Sequence, residues 1–317
     1  MVPTFVVYPF RLLLALGDRR SLLPPYLGST VRGVFAASFR KLVCATGAPV
    51  CEGCLLIDRC PYPYIFETPS PHHIPEPLQR RFRQAPRPYV LDVPLAYAGE
   101  AELELGLVLV GRAVDFLPYF IYVMEEVGKK GIGRARVPYR LLSVADGSRD
   151  GGPVIFHSAE RIVREDFHGV ILEALPREGD ERVTRVTLEF LTPLRVKKYG
   201  GYQESGERMT FATLMDLLLG RIEALSFFHC GGEWAPHEGL RAKAQDVRVV
   251  AKNLSLQRLE RYSNRRQQRL PLHGLVGTLT VEGELTEFLP LLRMGEYIHI
   301  GEGTAFGLGR YRLQHLS

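Results

Sequence analysis

Along this chain the apolar and polar positions fall into short blocks whose spacing changes between that of strands and that of helices, and the blocks recur. Residues 103–110 and 275–281 alternate with period two, the pattern of a strand with one face buried. Each is followed by a glycine and then by the tripeptide Phe-Leu-Pro. Gly111, Phe116, Leu117 and Pro118 return as Gly283, Phe288, Leu289 and Pro290, displaced by 172 residues. A short helix is predicted after each tripeptide, then a glycine-rich loop, and then a strand at residues 139–145 or 311–315. That loop is Gly131-Ile132-Gly133-Arg134 in the first copy and Gly307-Leu308-Gly309-Arg310 in the second. Earlier in each copy a strand (5–16, 183–196) precedes a helix (29–43, 211–228).

A duplication of this kind fixes an architecture before any single element is secure. Strand, helix, strand, strand, helix, strand is the order of ferredoxin-like domains. The expected fold is therefore α+β, with two tandem ferredoxin-like, RRM-like domains at residues 1–180 and 181–317. Pro176 and Gly179, set among charges, mark the boundary. A cysteine-rich insertion at residues 44–60 interrupts the first domain.

Composition adds little by itself, because 46% hydrophobic and 24% charged residues suit any packed protein, and a net charge of +5 is small. The distribution of charge says more. Residues 241–269 hold nine Lys or Arg against two acids, Asp246 and Glu260. Lys129, Lys130, Arg134, Arg136 and Arg140 form a second basic run, and Arg80, Arg81, Arg83 and Arg87 a third. A single run of this kind is usually a solvated face; three together fit a phosphate backbone, whose condensed counterions they would displace. Residues 1–16 lack a basic leader and carry Pro3, Pro9 and Arg11, so they do not read as a signal peptide. No apolar run is long enough to span a bilayer. These readings place the protein in the cytoplasm, without a membrane partner and with its thiols reduced or ligating metal.

Four of the five cysteines, Cys44, Cys51, Cys54 and Cys60, lie within 17 residues, while Cys230 stands apart. A Cys-x-x-Cys pair with two further thiols is the inventory of a tetrahedral zinc site. A structural zinc is the leading expectation, ahead of an iron-sulfur cluster and of unliganded thiols. Four thiolates leave no position for water, so such a metal staples and does not catalyse.

The segment 301–310 sets Gly301, Gly303, Gly307 and Gly309 beside Arg310. Glycine there permits positive φ and lets backbone amides approach a phosphate; tight turns need the same residues. Around it stand Arg261-Tyr262-Ser263-Asn264-Arg265-Arg266-Gln267, Gly274-Leu275-Val276-Gly277 and Tyr297-Ile298-His299-Ile300-Gly301. With Thr192-Pro193-Leu194-Arg195-Val196-Lys197, Phe228-His229-Cys230-Gly231 and the stretch 27–60, these segments resemble the precursor-RNA processing endoribonucleases of the CRISPR-associated RAMP superfamily. The resemblance covers most of the chain and is least distinctive in the middle third. It implies two ferredoxin-like domains, CRISPR repeat RNA as substrate, cleavage without a catalytic metal, and a glycine-rich loop lying against the RNA backbone. Members often place an acid-base histidine in or just after the first helix, whereas the first histidine here is His72.

Cleavage of RNA without metal needs a base, an acid and a cation. His299 is the first candidate, because strand-like alternation of Tyr297-Ile298-His299-Ile300 would turn it, with Tyr297, to one face just before the loop. A histidine bonded inside the domain fits that position equally well. His229 is the second, although at a helix end it also suits the helix dipole. His72 and His73 read as solvated loop residues. Tyr262 offers a proton carrier. Lys197 offers a cation at the reacting phosphate, and Arg195, Lys198, Arg265 and Arg310 further phosphate contacts. Two other functions are open on the residues: a RAMP subunit that holds RNA inside a CRISPR effector complex without cutting, and a zinc-stapled protein interaction module. The glycine loops and the basic stretch argue against the second.

Overall fold

The computed structural model describes residues 5–24, 26–68, 85–95, 97, 99–172, 182–198, 201–232, 239–263 and 267–314. The chain divides into two compact units, Met1–Val170 with Ala224–Glu233, and Ile171–Glu223 with Trp234–Ser317.

In the first unit β1 (Val6–Leu16) is the central strand. Its alternating side chains bury Val7, Leu12, Leu14 and Leu16. Around it lie β2 (Tyr89–Asp92), β3 (Glu102–Val110), β4 (Tyr139–Asp146) and β5 (Val154–His157), in the order β2-β3-β1-β4-β5; β6 (Val170–Ile171) also pairs with β1. The pairings β1–β3, β1–β4, β2–β3 and β4–β5 are all antiparallel. Helix α1 (Gly28–Val43) buries Val31, Phe35, Ala36 and Phe39, one stripe at helical spacing. Helix α2 (Leu117–Lys130) contributes Phe120, which lies 5.1 Å from Phe35 and 5.7 Å from Phe39, ring to ring. Aromatic pairs at such separations are favourable beyond the area they bury.

The second unit contains β7 (Arg185–Leu194), β8 (Lys197–Lys198), β9 (Gly201–Tyr202), helix α3 (Phe211–His229) as far as Glu223, α4 (Leu240–Asp246), and β10 (Arg248–Gln257). The hairpin β11 (Glu260–Ser263) with β12 (Gln268–Pro271) follows, then β13 (Gly274–Glu282), α5 (Leu289–Ile298) and β14 (Tyr311–Gln314). Its four-stranded antiparallel sheet runs β10-β13-β7-β14. In both sheets the long first strand sits between the third and the fourth. β2 and β10, the second strands, had no counterpart in the sequence pattern: the one has four residues, and the other exposes six of its ten.

The duplication holds to the residue. β3 and β13 start at 102 and 274, α2 and α5 at 117 and 289, β4 and β14 at 139 and 311. The paired tyrosines do the same work: Tyr139 donates its hydroxyl to the carbonyl of Met124 in α2 at 2.8 Å, and Tyr311 donates to that of Leu292 in α5.

Two expectations about the loop are corrected. Tyr297 and Ile298 close helix α5 and do not belong to a strand. His299 caps that helix with φ 61° and ψ 167°, as Gly131 caps α2 with φ 79° and ψ 158°. The structural partner of Gly131-Ile132-Gly133 is therefore His299-Ile300-Gly301, not Gly307-Leu308-Gly309. Bonds agree: Ile132 N donates to Val137 O at 2.9 Å, and Ile300 N to Gly309 O at 3.0 Å. The reason is a change of length, since α2 has 14 residues and α5 has 10. The second loop takes up the four residues that its helix gives up. No helix among the described residues is long and apolar enough to cross a membrane.

Candidate nucleic-acid interface

The loop after α5 is held by its own backbone. Gly301, Gly303, Gly307 and Gly309 all take positive φ, between 72° and 87°. At Gly309 an added Cβ would lie 1.7 Å from Ile300 O, and at Gly301 2.6 Å from Arg195 O, so neither site accepts a side chain. Glu302 N donates to Arg195 O and Gly309 N to Pro193 O, each at 3.0 Å. The Thr192 hydroxyl donates to Gly307 O and accepts from Arg310 N, both at 2.8 Å. The end of β7 and the loop are thereby one rigid piece, crossed by a 3-10 turn at Thr304–Phe306.

Polar side chains gather around Arg195. Its guanidinium lies 4.0 Å from the centre of the Tyr202 ring, and its Nε donates to the carbonyl of His273 at 3.2 Å. Cation and ring at that distance attract through the ring's quadrupole. Tyr202 donates to Glu302 at 2.8 Å; burial, then this bond to a carboxylate, raises the phenol above its usual range. Lys197, exposed, is the register partner of Tyr202 across the β8–β9 hairpin. His273 is partly exposed, with Nε2 3.4 Å from Glu204. Arg261 sits 4.9 Å from the Phe306 ring of the loop, and its neighbour Tyr262 is exposed, donating to Gln267 at 3.0 Å. Of the predicted residues the structure thus brings together Arg195, Lys197 and the glycines. Lys198 lies in β8, and Arg265 falls outside the described residues, as do His72 and His73.

The two favoured histidines are in the core. His299 is 1% exposed; its Nδ1 donates to Leu308 O at 3.2 Å. Burial first, then Arg310 and Arg221, pull its pKa down to about 3, so the ring stays neutral and ties the loop to the helix end. His229 is 4% exposed, in the first unit, with Nε2 donating to Pro86 O at 2.7 Å and Nδ1 3.2 Å from the Tyr64 hydroxyl. Neither ring presents a nitrogen to solvent. The basic stretch is likewise partly committed: Arg241 pairs with Glu223 and Asp216, and Lys243 with Glu287. Sequence reasoning missed Tyr202 and His273. The available signals were two consecutive glycines, Gly200-Gly201, close to Lys197 in the sequence, and a histidine just before Gly274.

Residues 188–311, which carry the whole glycine loop and the Arg195 cluster, match the family of the CRISPR-associated endoribonuclease Cas6. That stretch of the chain is Cas6-like. Residues 5–168 match a second family, the N-terminal domain AF_1859_N. An uncharacterized protein of Archaeoglobus fulgidus is 29% identical over 180 residues, 55% of this chain and 57% of that relative. The chain thus spans little more than half the length of the curated relative it matches. Among solved structures, Thermus thermophilus Cas6 aligns at TM-score 0.56 and 19% identity, covering 98% of this chain and 99% of its own. A Cas6 product complex aligns at TM-score 0.57 and 19% identity, covering 97% and 99%. At such identity these likenesses speak for a shared Cas6 fold.

Proposed function

We propose that this chain binds CRISPR repeat RNA and cuts it by attack of a ribose 2′-hydroxyl on the adjacent phosphorus. The observation that carries the reading is the rigid glycine loop within the Cas6-like stretch 188–311, with a phenol, an imidazole and cations gathered at its base. Solution of a relative of this fold as a product complex supports it. The two units are read as tandem ferredoxin-like domains, since both sheets carry the strand order of that fold.

In the step itself the 2′-oxygen loses its proton as it bonds to phosphorus, and the 5′-oxygen leaves with a proton. The products are a 2′,3′-cyclic phosphate and a 5′-hydroxyl. His273 is the imidazole of the cluster whose ring is not sealed in the core, and histidine is the side-chain type suited to proton transfer near neutrality. Lys197 supplies positive charge to the phosphorane, and Arg195 positions Tyr202 beside it. His299 is reassigned from proton transfer to holding the loop. Other CRISPR effector subunits are proposed recipients of the product.

The burial of His299 and His229 also favours a second reading, a RAMP subunit that holds RNA without cutting it. One experiment separates the two: labelled repeat RNA incubated with the full chain in excess EDTA. Cleavage with cyclic-phosphate ends is expected, lost when the nucleotide 5′ of the cut carries 2′-deoxyribose, while binding changes far less. His273→Ala should slow cutting by roughly 10²- to 10⁴-fold with little change in affinity. Cutting of the 2′-deoxy RNA, or cutting only with added Mg²⁺, overturns the mechanism; tight binding with no cutting establishes the second reading.

A further inference from the structure

Between Arg40 and Tyr62 no residue is buried, although the chain there makes a defined series of turns. Cys54 N donates to Cys51 O at 3.0 Å, Ile57 N to Cys54 O at 3.0 Å and Cys60 N to Leu56 O at 2.8 Å. A segment of this length usually holds a shape by burying apolar side chains, and this one does the opposite. Leu55 is 98% exposed, Val50 58% and Leu56 42%. Within residues 44–60 six positions are shielded at all: Cys44, Ala48, Cys51, Cys54, Ile57 and Cys60. All six line one small cavity, and the hydroxyl of Thr46 stands 3.9 Å from the Cys44 sulfur and 3.7 Å from that of Cys54. The four thiols therefore line one cavity, while Leu55 faces water.

We propose that Cys44, Cys51, Cys54 and Cys60 bind one Zn²⁺ ion, which takes the place of a hydrophobic core for this segment. Thiolates are soft ligands that select zinc in a four-coordinate site, and small units without enough apolar area to bury rely on such staples. Among the described residues no three His, Cys, Asp or Glu side chains are already set at ligand positions, so the thiols must close around the ion. The tight Cys51–Cys54 turn keeps two of the four lining residues close in the chain. Arg40 anchors the segment from α1, donating to Ala48 O and lying 5.5 Å from the Tyr62 ring at its far end. Cys230, which lies outside this segment, takes no part.

The test uses full-length protein purified without chelator from zinc-supplemented medium. Elemental analysis should give about one zinc per chain. Exchange into Co²⁺ should yield the thiolate charge-transfer band and the visible bands of a tetrahedral site. Four of the five thiols should react slowly with a disulfide reagent until a strong chelator removes the metal. Cys54→Ser should lower the metal content several-fold, and Cys230→Ser should leave it unchanged. Substoichiometric metal together with freely reacting thiols overturns the proposal even if the serine variants fail to fold. Iron with acid-labile sulfide, or equal loss of metal in Cys230→Ser, overturns it too.

Discussion

His299 shows how one side chain can satisfy a motif and still do something other than the motif suggests. Its place beside the glycine loop was legible in the sequence; its burial was one of two readings left open there, because Tyr297-Ile298-His299-Ile300 read as a strand gave a free face equal weight. The helix instead runs through Ile298 and turns the imidazole inward. Below a pH of about 6.5 the unfolded chain takes up a proton that the native ring refuses until about 3. Stability should therefore fall as pH drops through that window, by about 1.4 kcal/mol per pH unit. Urea unfolding at pH 7 and pH 5 checks this. His299→Gln keeps a donor for Leu308 O but does not titrate, so it should reduce the difference between the two curves. An unchanged difference would remove His299 from the acid response.

The glycine loop was found in the sequence and then paired with the wrong stretch of the first copy, because identical letters outweighed a change in helix length. Gly309 is fixed by the backbone of Ile300 as well as by its φ of 72°, and Gly307 takes a φ of 85°. Gly309→Ala should accordingly cost more than 2 kcal/mol, roughly, on thermal unfolding, from a backbone clash added to left-handed strain. Gly307→Ala should cost about 1–2 kcal/mol and leave a folded protein with weakened RNA binding. Wild-type affinity in that folded variant would make the loop a turn and nothing more. The second strands escaped the sequence reading for a plain reason: β2 is too short to show a period, and β10, at the sheet edge, exposes most of its side chains.

Taken over the entire chain, the repeat was the most informative feature of the sequence, since every third-strand, second-helix and fourth-strand start obeys one offset. Charge was less so, because composition cannot tell a cation that meets RNA from one that meets a carboxylate. Lys197 is exposed and Lys243 is paired with Glu287. For single-stranded RNA each phosphate contact adds about 0.7 to the slope of log affinity against log salt. Lys197→Ala should remove about that much in filter-binding titrations, and Lys243→Ala should leave the slope unchanged; equal effects would show the basic stretch acting as diffuse charge. The four residues exchanged between α5 and its loop have a further meaning. Because one helical turn is lost where one turn's worth of loop is gained, Tyr311 enters the sheet at the offset that Tyr139 sets. A duplicated gene could thus enlarge one loop and spare its twin without inserting or deleting a codon between the flanking strands, so the two halves specialised at constant length.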